Sequence, residues 1–162
     1  MIANSEKTNP ASEMPLEQQV NFLRQSLVNF QVSTFEILKE KLGDNGVEIF
    51  KTILRPMYSK GVEMVKGLGF QEAAKFIGFS DRVMGFQMEM DYLKPDEFQY
   101  SITYCPFLEE CKRRRIDMEF CNVLEDVGLD ESSKTLGKVE EPTRMCWGDS
   151  KCTFKMSNTL GR

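Results

Sequence analysis

The 162-residue sequence contains no histidine. This absence excludes Ser-His-Asp and Cys-His catalytic arrangements, His-Glu-x-x-His zinc sites and two-His-one-carboxylate iron sites. It also removes the side chain that most often exchanges protons near neutral pH. Any catalysis must therefore use Cys, Asp, Glu, Lys or Tyr side chains, or a bound ion.

The sequence also lacks a long apolar run and an excess of positive charge. No window reaches about 18 uninterrupted apolar residues, and residues 1–15 are polar rather than a basic and apolar secretion signal. Lys and Arg total 21 against 25 for Asp and Glu, a formal net charge of −4, which disfavours general binding to nucleic acid or anionic lipid. We therefore expect a cytoplasmic protein whose partners include neither nucleic acid nor a membrane.

The length of the chain and its apolar content predict a single domain. Hydrophobic residues make up 41% of the sequence, and 12 Phe and 10 Met far outnumber 1 Trp and 4 Tyr. A chain of this length fits one compact domain, which we place at residues 16–157. Residues 1–15 are predicted to be a disordered lead-in and residues 158–162 a tail.

The first half of the chain has the apolar spacing of helices. Apolar residues recur every three or four positions over residues 16–42, and Gly43 is a typical helix stop. A second helix is predicted from Asp44 to about Lys66, kinked or divided at Pro56, and a short third helix over residues 71–77.

In the second half the apolar period changes to two. Residues 83–92 and 98–104 predict an antiparallel hairpin that turns at Lys94-Pro95-Asp96, followed by helices from Pro106 and over residues 116–127. Residues 128–142 are expected to form a loop, and residues 143–147 and 151–156 a second hairpin. The fold class is therefore α+β, with N-terminal helices packed on an antiparallel sheet made of two hairpins with intervening helices.

All five cysteines lie between positions 105 and 152, which is the main functional signal. Three interpretations stay open. In the first, the cysteines are small buried apolar side chains. In the second, they ligate a metal, either zinc together with a carboxylate or, less readily, an iron–sulfur cluster. In the third, one cysteine is a nucleophilic or redox thiol. No Cys-x-x-Cys pair occurs, which argues against a common zinc finger.

Individual cysteines have chemically suggestive neighbours. Cys105 directly precedes Pro106, so a helix N-terminus can lower its pKa, although inward packing at a strand end is the favoured interpretation. Cys121 shares a helical face with Glu125 and Asp126, which are either functional carboxylates or solvated surface groups. Asp149 follows Gly148 and is chiefly a turn former.

Two further features of the sequence each have two interpretations. The basic run 112–115 either clamps an anionic ligand or stabilises the C-terminal end of the helix that begins at Pro106. The alternating residues Met84, Phe86, Met88 and Met90 either line an apolar ligand cavity or belong to the core.

Three segments resemble the L-2-amino-thiazoline-4-carboxylic acid hydrolase-like family, and their order agrees with it: FQYSITYCPFLEEC (98–111), EFCNVLED (119–126) and GDSKCTFKM (148–156). The resemblance spans roughly residues 25–157. It implies a site formed by Cys105, Cys121, Asp126 and Cys152, with Gly148 and Asp149 in the turn beside it. The chain departs from the family in the segment 128–142 and in having Cys111 and Cys146.

The segment from Cys146 to Phe154 also resembles vinyl-4-reductase-like ligand-binding domains. These domains sense small hydrophobic or aromatic molecules, and some hold zinc through cysteines and a glutamate. This resemblance implies metal ligands at Cys121, Glu140 or Glu141, Cys146 and Cys152.

Two functional hypotheses follow. In the first, a small hydrolase opens a cyclic C–N or C–S substrate of the aminothiazoline carboxylate type, either by thiolate attack or through metal-bound water with Asp126 or Glu125 as base. Substrate contacts are then expected at Met88, Met90, Tyr104, Phe107 and Asp149. In the second, a non-enzymatic sensor or carrier binds an apolar molecule between the helices and the sheet, with a cysteine-ligated structural metal. Pairing of two copies through an exposed face of the first helix is a further expectation.

Overall fold

The computed structural model describes residues 14–159. The predicted lead-in therefore lies almost entirely outside the described residues, as do the last three residues of the predicted tail. The described chain forms five helices and a four-stranded antiparallel sheet, which confirms the predicted α+β class.

Two long helices open the fold. Helix α1 spans Leu16–Leu42 and helix α2 spans Asp44–Val65, as the apolar spacing predicts, with Gly43 between them at a φ of 57°. Pro56 lies inside α2 on its exposed side, and the helix continues through it, so the prediction of a divided helix is wrong. The two helices pack side by side, and Val32 and Phe35 of α1 are buried with Phe50 of α2.

Helix α3 spans Phe70–Met84 and is twice as long as predicted. The apolar alternation that predicts a strand from residue 83 includes Met84, a residue that also fits a helix. Ile77 and Met84 are seven residues apart and therefore share a helical face. Helix α3 ends at Gly85, whose φ of 96° favours glycine. The strand therefore starts four residues later than predicted.

The first hairpin is confirmed. Strand β1 spans Gln87–Leu93 and strand β2 spans Glu97–Tyr104, and they pair antiparallel with Met88 opposite Ile102. Helix α4, Pro106–Arg114, follows with Pro106 at its first turn, as the sequence indicates.

The predicted loop over residues 128–142 is wrong. Helix α5 spans Glu119–Leu136, and strand β3 spans Lys138–Thr143. Val127 and Leu136 continue the buried face of α5, while the charged side chains of this segment lie mostly outward. Gly137, with a φ of 95°, ends the helix and starts the strand.

The second hairpin exists, but its first strand lies earlier than predicted. Strand β4, Cys152–Ser157, pairs antiparallel with β3 and with β2, giving the sheet order β1-β2-β4-β3. Residues Met145–Trp147, predicted as strand, form a single 3-10 turn. The backbone hydrogen bonds of this segment are local. The N–H of Trp147 donates to the carbonyl of Arg144, and the N–H of Gly148 donates to the carbonyl of Met145.

Buried side chains form two clusters rather than one. The first joins α1, α2, α4 and α5 around Phe35, Phe50 and Phe120, whose ring centroids lie 5.3 to 5.8 Å apart. The second joins the inner face of the sheet to α3 and to the ends of α2 and α5; Phe98 and Ala74 are fully buried in it. No helix in the part of the chain that the structure describes is long and apolar enough to cross a membrane.

Helix α1 keeps an exposed apolar row. Leu16, Leu23, Phe30 and Ile37 follow one another at intervals of seven residues and are 59 to 75% exposed. A seven-residue apolar repeat is typical of helices that pair with another helix. Pairing of two copies through this row stays a prediction.

Close contact between α1 and α2 depends on Gly46. A Cβ atom at this position would lie 2.0 Å from the backbone oxygen of Leu38, and a backbone atom cannot rotate away. We expect Gly46→Ala to destabilise the fold by more than about 3 kcal/mol, because α2 must move away from α1.

Gly61 of α2 provides the matched control, since a Cβ there would meet no atom within 4 Å. Gly61→Ala is expected to stabilise the protein by about 0.5 to 1 kcal/mol through helix propensity. Urea unfolding of both variants measures the difference. Equal effects of the two substitutions would contradict the described packing of α1 on α2.

Candidate functional site

A cavity of about 360 Å³ lies between the two core clusters. Helices α1, α2, α3 and α5, the start of α4 and the inner face of the sheet supply its wall. Six aromatic rings contribute to that wall: Tyr58, Phe76, Phe86, Tyr100, Phe107 and Phe154. A concave, largely apolar space with few polar groups is typical of small-molecule sites.

Two carboxyl groups interrupt the apolar wall. Asp81 projects from α3 and Glu125 from α5. Burial raises the pKa of Asp81 from its usual value near 3.8 to about 7. Burial also raises the pKa of Glu125, and the nearby carboxylates of Glu141 and Asp81 raise it further while Arg144 opposes them.

The five cysteines are all free, and their sulfur atoms are held in different ways. Cys105 caps α4, and its sulfur accepts the N–H of Leu108 at 3.4 Å. Cys152 accepts the N–H of Met145 at 3.3 Å, while the thiol of Cys146 donates to Oδ1 of Asn122 at 3.4 Å. Cys111 and Cys121 are buried against each other with a thiol–thiol hydrogen bond.

Burial raises the pKa of Cys105, Cys146 and Cys152 and contributes to that of Cys121, whereas the hydrogen bond with Cys121 lowers the pKa of Cys111. Burial raises the pKa of Cys105 well above its usual value, outweighing the Leu108 hydrogen bond that lowers it. The hydrogen bond with Cys111 and burial raise the pKa of Cys121, and burial raises that of Cys152 to about 12. A nucleophilic cysteine needs a lowered pKa. Cys105 and Cys121 do line the cavity, so the structure brings these two predicted catalytic residues to one space.

The other predicted residues are dispersed. Asp126 has a 63% exposed side chain and forms an ion pair with Arg144 rather than lining the cavity. Phe107 lies on the cavity wall, whereas Met88 is buried in the sheet cluster and Met90 packs against that cluster. Tyr104 is 40% exposed. The exposed Asp149 accepts the backbone N–H of Arg144 at 2.9 Å, in keeping with a turn former.

The first three residues of the basic run 112–115 form ion pairs at the end of α4. Lys112 pairs with Glu109 and Arg113 with Glu110, both on the same helix. Arg114 bridges α4 to α1, with its guanidinium 2.8 Å from Oε2 of Glu36 and 2.8 Å from Oγ of Ser33. The run therefore stabilises the helix end and ties it to α1, as the second sequence interpretation proposed.

A possible metal-ligand group lies beside the cavity but differs from the predicted one. Ligand atoms of Glu125, Glu141 and Cys152 lie within 4.8 Å of one another. Of the predicted ligands, only Glu141 and Cys152 belong to this group, because Cys121 faces Cys111 and Cys146 faces Asn122. Glu140 is exposed and forms an ion pair with Lys138.

Arg144 already places a cation next to this group. Its Nε lies 2.6 Å from Oε2 of Glu141, its terminal nitrogen lies 2.9 Å from Asp126, and its guanidinium stacks 4.6 Å from the Trp147 ring centre. The side chains of Arg144 and Glu141 are only 7% and 1% exposed. Neither the carboxylate oxygens of Glu141 nor Nε of Arg144 has a hydrogen bond of good geometry, so the two groups are held together mainly by charge. A metal ion would have to share Glu141 with this guanidinium. Zinc and iron–sulfur binding stay predictions.

Sequence reasoning missed Asp81, Tyr58 and Tyr100. Asp81 was placed outside any helix because the third helix was predicted to end at residue 77. A helix extended to Met84 would have put Asp81 four residues after Ile77 and seven after the buried Ala74, on the inward face. The sequence therefore held a signal for Asp81, hidden by the misplaced helix end.

Asp81 makes stability fall as pH rises. Because its pKa is raised in the folded state, folding takes up a proton between about pH 4 and pH 7, and the free energy of unfolding decreases across that window. We expect Asp81→Asn to flatten this decrease by a few kcal/mol at most. The exposed Glu89→Gln substitution is the matched control, and thermal melts from pH 4 to pH 8 measure both. A wild-type profile that Asp81→Asn leaves unchanged would contradict burial of the acid.

Removal of Arg144 is expected to leave Glu141 buried without its ion-pair partner. Arg144→Ala should destabilise the protein by about 3 kcal/mol at pH 8 and by less at pH 5, because burial also raises the pKa of Glu141 and its proton removes the uncompensated charge. Melts with zinc and with EDTA measure whether a metal replaces the lost cation. An unchanged melting temperature in Arg144→Ala would contradict the role assigned to the guanidinium.

No family model matches the chain, and no curated protein matches it. Both family resemblances therefore stay predictions, and the functional argument rests on the cavity and the residues that surround it.

Proposed function

We propose that this protein binds a small, largely apolar molecule in the cavity between its helices and its sheet. The observation that carries the proposal is the cavity itself. Its volume of about 360 Å³ is roughly twelve times the ~30 Å³ that one water molecule occupies in the liquid, which is room for a ligand of about ten non-hydrogen atoms.

The chemistry of the wall supports binding of an apolar body. Aliphatic and aromatic side chains from both core clusters face the space, among them Leu54, Ile102 and Leu124. Such a wall binds by removing apolar ligand surface from water, at about 25 cal/mol for each Å² buried. The polar side chains among them are few and give the bound molecule a preferred orientation.

The thiols favour binding over hydrolysis. Cys105 and Cys121 both line the cavity, yet burial raises the pKa of each, so neither carries the thiolate that attack on a cyclic substrate needs. For ligand binding, the sulfur atoms need only fill space and provide polarisable contact surface. A sensor or carrier therefore fits this wall better than a cysteine-dependent hydrolase.

Ligand-induced stabilisation tests the proposal. Toluene and indole, two small apolar probes, should raise the melting temperature, since a ligand at about 100 times its Kd adds about 2.7 kcal/mol to the free energy of unfolding. Ile77→Trp adds bulk to the cavity wall and should abolish the increase. Phe79→Trp, two residues along α3 and 65% exposed, is the matched control and should retain it.

Two results would contradict the proposal. One is that neither probe raises the melting temperature of the wild-type protein. The other is that Ile77→Trp, folded by circular dichroism, responds as strongly as Phe79→Trp.

A further inference from the structure

The two carboxyl groups on the cavity wall have no partner. Within the described residues 14–159, the side chains of Asp81 and Glu125 take part in no hydrogen bond or ion pair, although Arg144 acts on Glu125 from a distance. The described wall of the cavity includes no Lys or Arg side chain. Both side chains are half-buried, and carboxyl groups withdrawn from bulk water are ordinarily paired, so two unpaired acids facing one cavity favour a partner that enters it.

Both carboxyl groups act on the same space. Burial is the main cause of the raised pKa of Tyr58 and of Tyr100, two buried tyrosines on the wall, and both acids add to it. The two acids and the two tyrosines are therefore close enough to interact across the cavity. The tyrosine hydroxyl groups stay neutral and protonated in this field, and they add no charge of their own.

Aromatic rings surround the same space. The faces of Tyr58, Phe86 and Phe107 and of the other wall aromatics carry the negative side of the ring quadrupole, which attracts organic cations. An apolar cage with aromatic faces and buried acids is a suitable environment for an ammonium or amidinium group attached to a small apolar body. A ligand carboxylate would meet two acidic groups and no compensating cation on the wall.

We propose that the ligand of this cavity is an organic cation, a small amine or amidine whose charged nitrogen lies between Asp81 and Glu125 and whose aromatic or branched aliphatic body contacts the surrounding rings. This inference rests on the proposed function, because it names the chemical class that the same cavity selects. Apolar contacts supply the affinity shared with neutral molecules, and the two carboxylates supply the preference for positive charge.

Three probes that differ mainly in charge test the inference: 2-phenylethylamine, 2-phenylethanol and phenylacetate. Titration calorimetry at pH 7.5 should give at least about tenfold tighter binding of the amine than of the alcohol, since a charge-assisted hydrogen bond contributes well over 1 kcal/mol. Phenylacetate should bind more weakly than either.

Substitutions assign the preference to the two acids. Asp81→Asn and Glu125→Gln should each reduce the affinity for the amine by about tenfold and change that for the alcohol by less than about threefold. Glu89→Gln, an exposed acid on β1, changes the net charge equally and should leave all affinities unchanged. A melt of each variant confirms that it is folded.

The outcomes separate this inference from the proposed function. If 2-phenylethanol binds as tightly as the amine, or if Asp81→Asn and Glu125→Gln weaken both equally, the cation preference is overturned while apolar binding stands. If none of the three probes binds at millimolar concentration, both proposals are overturned.

Discussion

The separation of the two core clusters is the constraint on which the site depends. Phe35, Phe50 and Phe120 hold α1, α2 and α5 together at one side of the molecule, and the inner face of the sheet forms a second core with α3. The side chains that line the cavity come from both cores, so the space exists because the cores flank it without closing it. Closer packing would remove the cavity, and looser packing would let water solvate the acids within it.

Burial of Asp81 and Glu125 has a cost that the fold carries without a partner in the described chain. A carboxyl group placed in an apolar wall is either protonated or matched by a cation. The raised pKa of Asp81 is the protonation response, and the cationic ligand that we propose supplies the matching charge. Charge matching also occurs beside the cavity, where the guanidinium of Arg144 lies against the buried Glu141. At Glu141 the cation is a side chain of the protein, whereas in the cavity the proposed cation is part of the ligand.

The sequence predicts elements whose apolar spacing is unambiguous and fails where two periods fit the same residues. Helix α1, the hairpin of β1 and β2 and the start of α4 at Pro106 follow from spacing, turn residues and proline. The end of α3 and the extent of α5 were misplaced, because alternation at Met84 and Phe86 mimics a strand and because the charges after Gly128 mimic a loop. Cys105, Cys121 and Phe107 of the predicted site do meet in the cavity. Asp81 was missed together with the end of α3, and its place on the cavity wall depends on the packing of α3 against elements far along the chain.

Methyl NMR of the methionines tests the central claim most directly, because these residues are spread over the molecule. Met57, Met84 and Met156 line the cavity, whereas Met64 is 62% exposed and Met90 lies in the sheet away from the described wall. On addition of 2-phenylethylamine, the account predicts that the methyl signals of Met57, Met84 and Met156 shift and saturate together while those of Met64 and Met90 stay in place. Shifts confined to Met64, or no shift at any of the three cavity methionines, would contradict it.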